Sequence, residues 1–119
     1  MVNYLILGIS ILLAVAGQLF MKRGMVAFGT FPVSQLLYKI IPMFFSPLVF
    51  IGLIFFGLSS IFWLVVLSRL ELSLVYPMVS VAYVLVTLVS WLFFHENVNL
   101  VRCSGILVII LGVFLISRS

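Results

Sequence analysis

Residues 72–94 read LSLVYPMVSVAYVLVTLVSWLFF, an apolar run bounded by Glu71 on one side and His95-Glu96 on the other, with no charge between them. A helix rising about 1.5 Å per residue needs roughly 20 residues to cross a hydrocarbon core about 30 Å thick, and this run supplies them. Three more stretches repeat the pattern: Val2–Met21 before Lys22-Arg23, Ile40–Ser68 before Arg69, and Cys103–Ser117 before Arg118. Of the 119 residues, 66% are hydrophobic and 7% charged, so charges end the apolar runs and never interrupt them. A water-soluble chain of this size cannot cover so much apolar surface with so few charges. The sequence predicts an all-α integral membrane protein: a single transmembrane domain over residues 1–119, with helices at about 2–21, 47–68, 74–94 and 99–117. The first run lacks a basic leader and a small-residue cleavage site, which predicts a retained helix rather than a signal peptide.

Between the first two spans the pattern changes. Lys22-Arg23 ends the first helix, and Gly24 and Gly29 break the periodicity beyond it. Thr30 and Pro32 then suit the cap and first position of a short helix. Val33, Leu36, Leu37, Ile40 and Ile41 share one of its faces, and Ser34, Gln35, Tyr38 and Lys39 the other. Such a segment is expected to lie in the headgroup plane and to stop before Pro42. Pro47 opens the second span, and Arg102 falls in the first turn of the fourth, within reach of water.

Composition excludes several classes of function. One cysteine, Cys103, and one histidine, His95, leave neither an internal disulfide nor a clustered metal site. No cofactor is expected, nor any catalytic residue: paired carboxylates, a phosphate-cradling glycine loop and a nucleophile–base arrangement are all missing. The net charge of +4 comes from basic residues scattered over helix ends, where they anchor to lipid headgroups rather than bind nucleic acid. Lys22, Arg23, Lys39 and Arg102 fall on one side and Arg69 and Arg118 on the other, so the positive-inside rule weakly favours external termini. Glu71 and Glu96 sit in short connections, where solvation is expected.

Two stripes run along the helices. In the third span Ser73, Tyr76, Ser80, Tyr83, Thr87 and Ser90 recur at alternating spacings of three and four, on one helical face. Hydroxyls facing lipid would waste hydrogen-bonding capacity, so this face is expected to point into the bundle or toward a partner. The first span carries Ser10, Ala14 and Gly17, with Gln18 beside them. Plain helix packing and a ligand path are both open readings of the two stripes. Gly105 and Gly112, two turns apart on the fourth span, offer a groove for another helix, and association with a second chain is favoured over internal packing. Pro77 removes a backbone donor beside Tyr76 and Ser80 and can bend the third span.

These residues resemble the drug/metabolite transporter superfamily at its small-multidrug-resistance-like (EamA-like) end. The likeness is strongest from Phe62 to Ser117 and includes ILLAVAGQLFMKRG of the first span, leaving out the connection from Gly24 to Pro47. Proton-coupled multidrug exporters of this group carry a glutamate in the middle of the first helix. Here Ala14 takes its place, so a cationic drug would find no counter-charge. Gly17-Gln18, Tyr76-Pro77 and His95-Glu96 instead match the small subunits proposed to flip aminoarabinose-linked undecaprenyl phosphate.

That resemblance implies a polyprenyl-phosphate glycolipid as substrate and a multi-pass protein of a prokaryotic inner membrane. It also implies a homodimer, or a heterodimer with a related small subunit. Gln18, Tyr76, Ser80 and Tyr83 would line the headgroup path, Lys22 and Arg23 would meet the phosphate or simply anchor the helix, and Pro77 would let the path flex. With no ionisable group at mid-membrane, transport is expected to run downhill, leaving the surface pair His95 and Glu96 as the place where protons can exchange. Export of small cationic or hydrophobic compounds, and a non-transporting role beside a membrane glycosyltransferase, are the competing readings.

Overall fold

The computed structural model of the chain describes residues 2–119, and the described residues are helical apart from short connections. Helix α1 spans Val2–Phe28, α2 Leu36–Phe45, α3 Pro47–Arg69, α4 Leu72–Met78, α5 Val81–Phe93 and α6 Leu100–Ser117. Taking α4 and α5 as one interrupted span, four helices are long and apolar enough to cross a membrane, with the shorter apolar segment Val33–Phe45 between the first and second. The protein is a multi-pass membrane protein.

The tightest pairing is between α1 and α3, which run antiparallel. Ser10, Gly17 and Gly24 recur every seven residues on α1, and Gly52, Ser59 and Val66 do so on α3; all six are buried. A Cβ at Gly17 would stand 2.7 Å from the Gly52 carbonyl oxygen, and one at Gly52 would stand 2.5 Å from the Gly17 carbonyl oxygen. Hydrogen therefore replaces a side chain where the two backbones meet. Ser10 Oγ donates to the Ser59 carbonyl at 3.0 Å, tying the same seam. In lipid there is little hydrophobic drive between helices, so close backbone approach and such bonds hold them together.

That seam corrects the expected end of the first helix. Gly24 does not break α1; it lies buried inside it, where a Cβ would meet Val49 Cγ2 at 2.7 Å. The helix continues to Phe28 and stops at Gly29, whose φ of 92° suits a residue without a side chain. The short helix differs as well. Thr30 does not cap it: the chain passes from Pro32 through a 3-10 turn at Val33–Gln35 into α2, which runs through Pro42 to Phe45. Pro42 has no N–H to give the Tyr38 carbonyl, and no residue of α2 is buried.

The third span is broken at Val79 and Ser80. Pro77 has no N–H to give the Ser73 carbonyl, and the next bonds tighten to i→i−3: Ser80 N–H to Pro77 O at 2.9 Å, Ala82 to Val79 at 2.8 Å, Tyr83 to Ser80 at 3.0 Å. The apolar core joins Leu7, Ile11 and Val15 of α1 to Val66 of α3 and Val75 of α4, the last two fully buried. It lies toward the end where Arg69 Nη1 donates to Asn3 Oδ1 at 3.4 Å.

α6 starts where the Asn99 side chain accepts from the Arg102 N–H at 2.8 Å, and it touches α4 and α5 with no residue of its own buried. The radius of gyration, 16.3 Å, exceeds the roughly 13.5 Å of a compact globule of this length. The bundle is thin.

Candidate functional site

At the end of the bundle away from Arg69, the basic residues take different partners. Lys22 Nζ stands 3.9 Å from Glu96 Oε2, joining α1 to the turn between α5 and α6. Lys39 Nζ lies 5.8 Å from the centre of the Phe28 ring, and Arg102 Nη1 donates to the Asn97 carbonyl at 2.9 Å. Arg23 makes no ion pair, side-chain hydrogen bond or ring contact among the described residues. It borders a groove of about 280 Å³ between α1 and α5, walled by Ala16, Leu19 and Phe20 on one side and Val89, Phe93 and Phe94 on the other. The groove opens because the core that joins α1 to the third span is concentrated nearer the opposite end. His95 holds the α5–α6 turn at a φ of 55°, a left-handed conformation rare outside glycine, while the Ser90 carbonyl accepts from both Phe94 and Glu96.

The hydroxyl stripe divides: Tyr76 and Tyr83 face out of the chain's own bundle, whereas Ser80, Thr87 and Ser90 are half-buried and Thr87 lines a cavity between α5 and α6 with Trp91 and Cys103. Val75, Met78, Val79, Ala82, Leu85 and Val86 are the third-span residues in or against the core, and Tyr76, Ser80, Tyr83 and Thr87 directly follow Val75, Val79, Ala82 and Val86. One residue is about 100° of helical rotation. Tyr76 and Tyr83 are accordingly 68% and 63% exposed. Tyr76 stands edge-on to Trp63, centroids 6.3 Å apart, and Ser80 sits at the helix break. Thr87 Oγ1 is already committed to the Tyr83 carbonyl at 2.7 Å.

Gln18 is exposed on α1, one turn before Lys22 on the same face. A methyl group added to Gly105 or Gly112 of α6 would meet nothing within 4 Å, so their face is open. Thus the residues singled out in the sequence form no single cluster. Lys22 and Arg23 gather at one membrane surface with His95 and Glu96. Ser80 and Tyr83 lie at mid-span, and Tyr76 nearer the other surface.

Two features escape a reading of the sequence, the groove between α1 and α5 and the Lys22–Glu96 pair, whereas the small-residue stripe of Ser10 and Gly17 is the packing seam, continued to Gly24. The seven-residue spacing of Ser10, Gly17 and Gly24, and of Gly52 and Ser59, was a visible signal for the seam. Nothing local signals the other two, because each depends on which helices are neighbours.

No known protein-family profile matches the chain, and no solved structure matches it. Curated relatives do. The chain is 32% identical over 114 residues, 96% of both chains, to the probable 4-amino-4-deoxy-L-arabinose-phosphoundecaprenol flippase subunit ArnE of Aeromonas salmonicida. It is 33% identical over 112 residues to the corresponding subunit ArnF of Serratia proteamaculans, covering 91% of this chain and 86% of that one. A shorter match, 39% over 74 residues, reaches ArnE of Pseudomonas aeruginosa and covers 62% and 64% of the two chains. With the four apolar spans, the small-residue seam and similarity running from end to end, the chain belongs to the family of 4-amino-4-deoxy-L-arabinose-phosphoundecaprenol flippase subunits.

Proposed function

We propose that this chain is one subunit of a flippase that carries a polyprenyl-phosphate-linked sugar across the cytoplasmic membrane of a prokaryote. The observation that carries the reading is the end-to-end similarity to chains described as such subunits. The chemistry of the spans agrees with it, for none holds an acidic or basic residue at its middle. A lipid leaves its tails in the bilayer, so only the headgroup needs a polar path. Tyr76, Ser80, Tyr83, Thr87 and Ser90 form a ladder about 21 Å long at 1.5 Å per residue. Neutral hydroxyls there can bond sugar and phosphate oxygens without burying a charge.

The two tyrosines of the ladder are exposed, and α6 buries none of its residues. A second subunit, a copy or a related small chain, would close both surfaces, with Gly105 and Gly112 admitting a helix closely. Gln18 extends the polar path toward Arg23, and the break after Pro77 lets α4 and α5 reorient as access changes sides. Movement runs downhill, drawn by consumption of the lipid on the far face.

The test is a proteoliposome assay on the assembled protein, comparing a labelled polyprenyl-phosphate sugar with a quaternary-ammonium drug. Lipid movement that ignores an imposed pH gradient is the expected result. Proton-driven drug movement without lipid movement overturns the reading. A lipid rate that follows the pH gradient, and stops doing so in Glu96→Gln, would instead place coupling at the His95-Glu96 turn.

A further inference from the structure

Two neighbouring cations at the end of α1 have different surroundings, and this difference separates their roles. Lys22 faces Glu96, its Nζ 3.9 Å from Oε2 with both side chains about half exposed, a loose pairing across to the α5–α6 turn. Arg23 has no partner among the described residues, and it borders a groove whose other walls are apolar. The groove wall is fixed in part by stacking of Phe20 on Phe55, ring centroids 5.5 Å apart and planes within 4°. A planar guanidinium offers paired N–H donors that match phosphate oxygens. An apolar slot bordered by such a group fits a molecule with a hydrocarbon chain and an anionic head.

We infer that Arg23 and the α1–α5 groove form an entry seat for a polyprenyl phosphate, Arg23 holding the phosphate and the groove the first part of the chain, while Lys22 faces Glu96 outside it. The assignment rests on the flippase reading and deepens it. The charge complementarity is local: Glu96 stands beside Lys22, neither borders the groove, and Arg23 is the one charged residue of its lining. Phe93 and Phe94 close the α5 wall with aromatic surface against which an unsaturated, methyl-branched chain can pack.

The test uses the full-length protein in phosphatidylcholine nanodiscs, with binding of undecaprenyl phosphate followed by native mass spectrometry. Arg23→Gln should weaken that binding about tenfold, the scale of one lost charge-assisted contact. Arg23→Lys should keep most of it, and Lys22→Gln/Glu96→Gln should bind as the unchanged protein does. Undecaprenol, which lacks the phosphate, should bind equally to the unchanged protein and to Arg23→Gln. Val89→Phe, which fills the groove and leaves Arg23 in place, should weaken undecaprenyl phosphate binding as well.

Equal binding by Arg23→Gln overturns the seat. So does equal competition from phosphatidylglycerol or from inorganic phosphate, since neither needs a polyprenyl groove. The two proposals fail separately. Arg23-dependent binding without any sugar-lipid movement in proteoliposomes would sink the flippase reading and leave the seat. Movement that persists at the full rate, with full binding, in Arg23→Gln would sink the seat alone.

Discussion

Among single residues, glycines with the same letter in the sequence have opposite meanings in the fold. Gly17 and Gly52 are where two backbones touch, and a methyl group on either would sit within 2.7 Å of the partner's carbonyl oxygen. Gly8, on the same helix as Gly17, has open space around it. Gly17→Ala and Gly52→Ala are therefore expected to lower stability by about 1–3 kcal/mol, the usual cost of overpacking, whereas Gly8→Ala should leave it unchanged or slightly raised. Thermal unfolding in detergent measures both. Ser10→Ala removes one interhelical hydrogen bond, and its cost in the same assay should be about 0.6 kcal/mol, the average for such bonds in membranes. A larger loss from Ser10→Ala than from Gly17→Ala would mean that hydrogen bonding rather than close approach governs the seam.

Among the helices, the third span is two elements with a joint. Pro77 removes the donor for the Ser73 carbonyl, and the chain answers with the tightened turn through Val79 and Ser80. Pro77→Ala should restore a continuous helix, hold or raise thermal stability, and slow lipid movement several-fold if the joint is used in transport. Unchanged transport with a straightened helix, read by spin-label distances across the joint, would leave Pro77 a purely structural feature. Tyr76→Phe and Tyr83→Phe keep the rings and remove only hydroxyls from the stripe. Transport should fall about three- to tenfold, the range of a hydrogen bond to a polar or charged group, with protein abundance unaffected. Abundance falling in step with transport would show that the hydroxyls serve folding instead.

Taken as a whole, the molecule is thinner than a closed domain of its length, and one of its four spans buries nothing. Gly105→Leu and Gly112→Leu place a side chain where the isolated chain has free space. They should leave its fold intact yet weaken association with a second subunit, seen as lost cross-linking and a lower mass by light scattering. A stable monomer that still moves lipid would refute the partnered arrangement.

The number of spans, their charged ends, the Pro47 start and the helix beginning at Asn99 were all legible in the linear order of residues. Each follows from one segment's apolar length against bilayer thickness or from a local hydrogen bond. The family likeness was legible too, because Gly17-Gln18, Tyr76-Pro77 and His95-Glu96 stand in order along the chain. Tertiary packing was needed to show that Gly24 lies inside α1 against Val49 rather than ending it. Packing alone paired Lys22 with Glu96, left Arg23 at the groove, and turned Tyr76 and Tyr83 away from the core by a single residue step. Periodicity fixes which residues share a face of one helix; which face is buried depends on the shape of its neighbours, and those are set by contacts between distant parts of the chain.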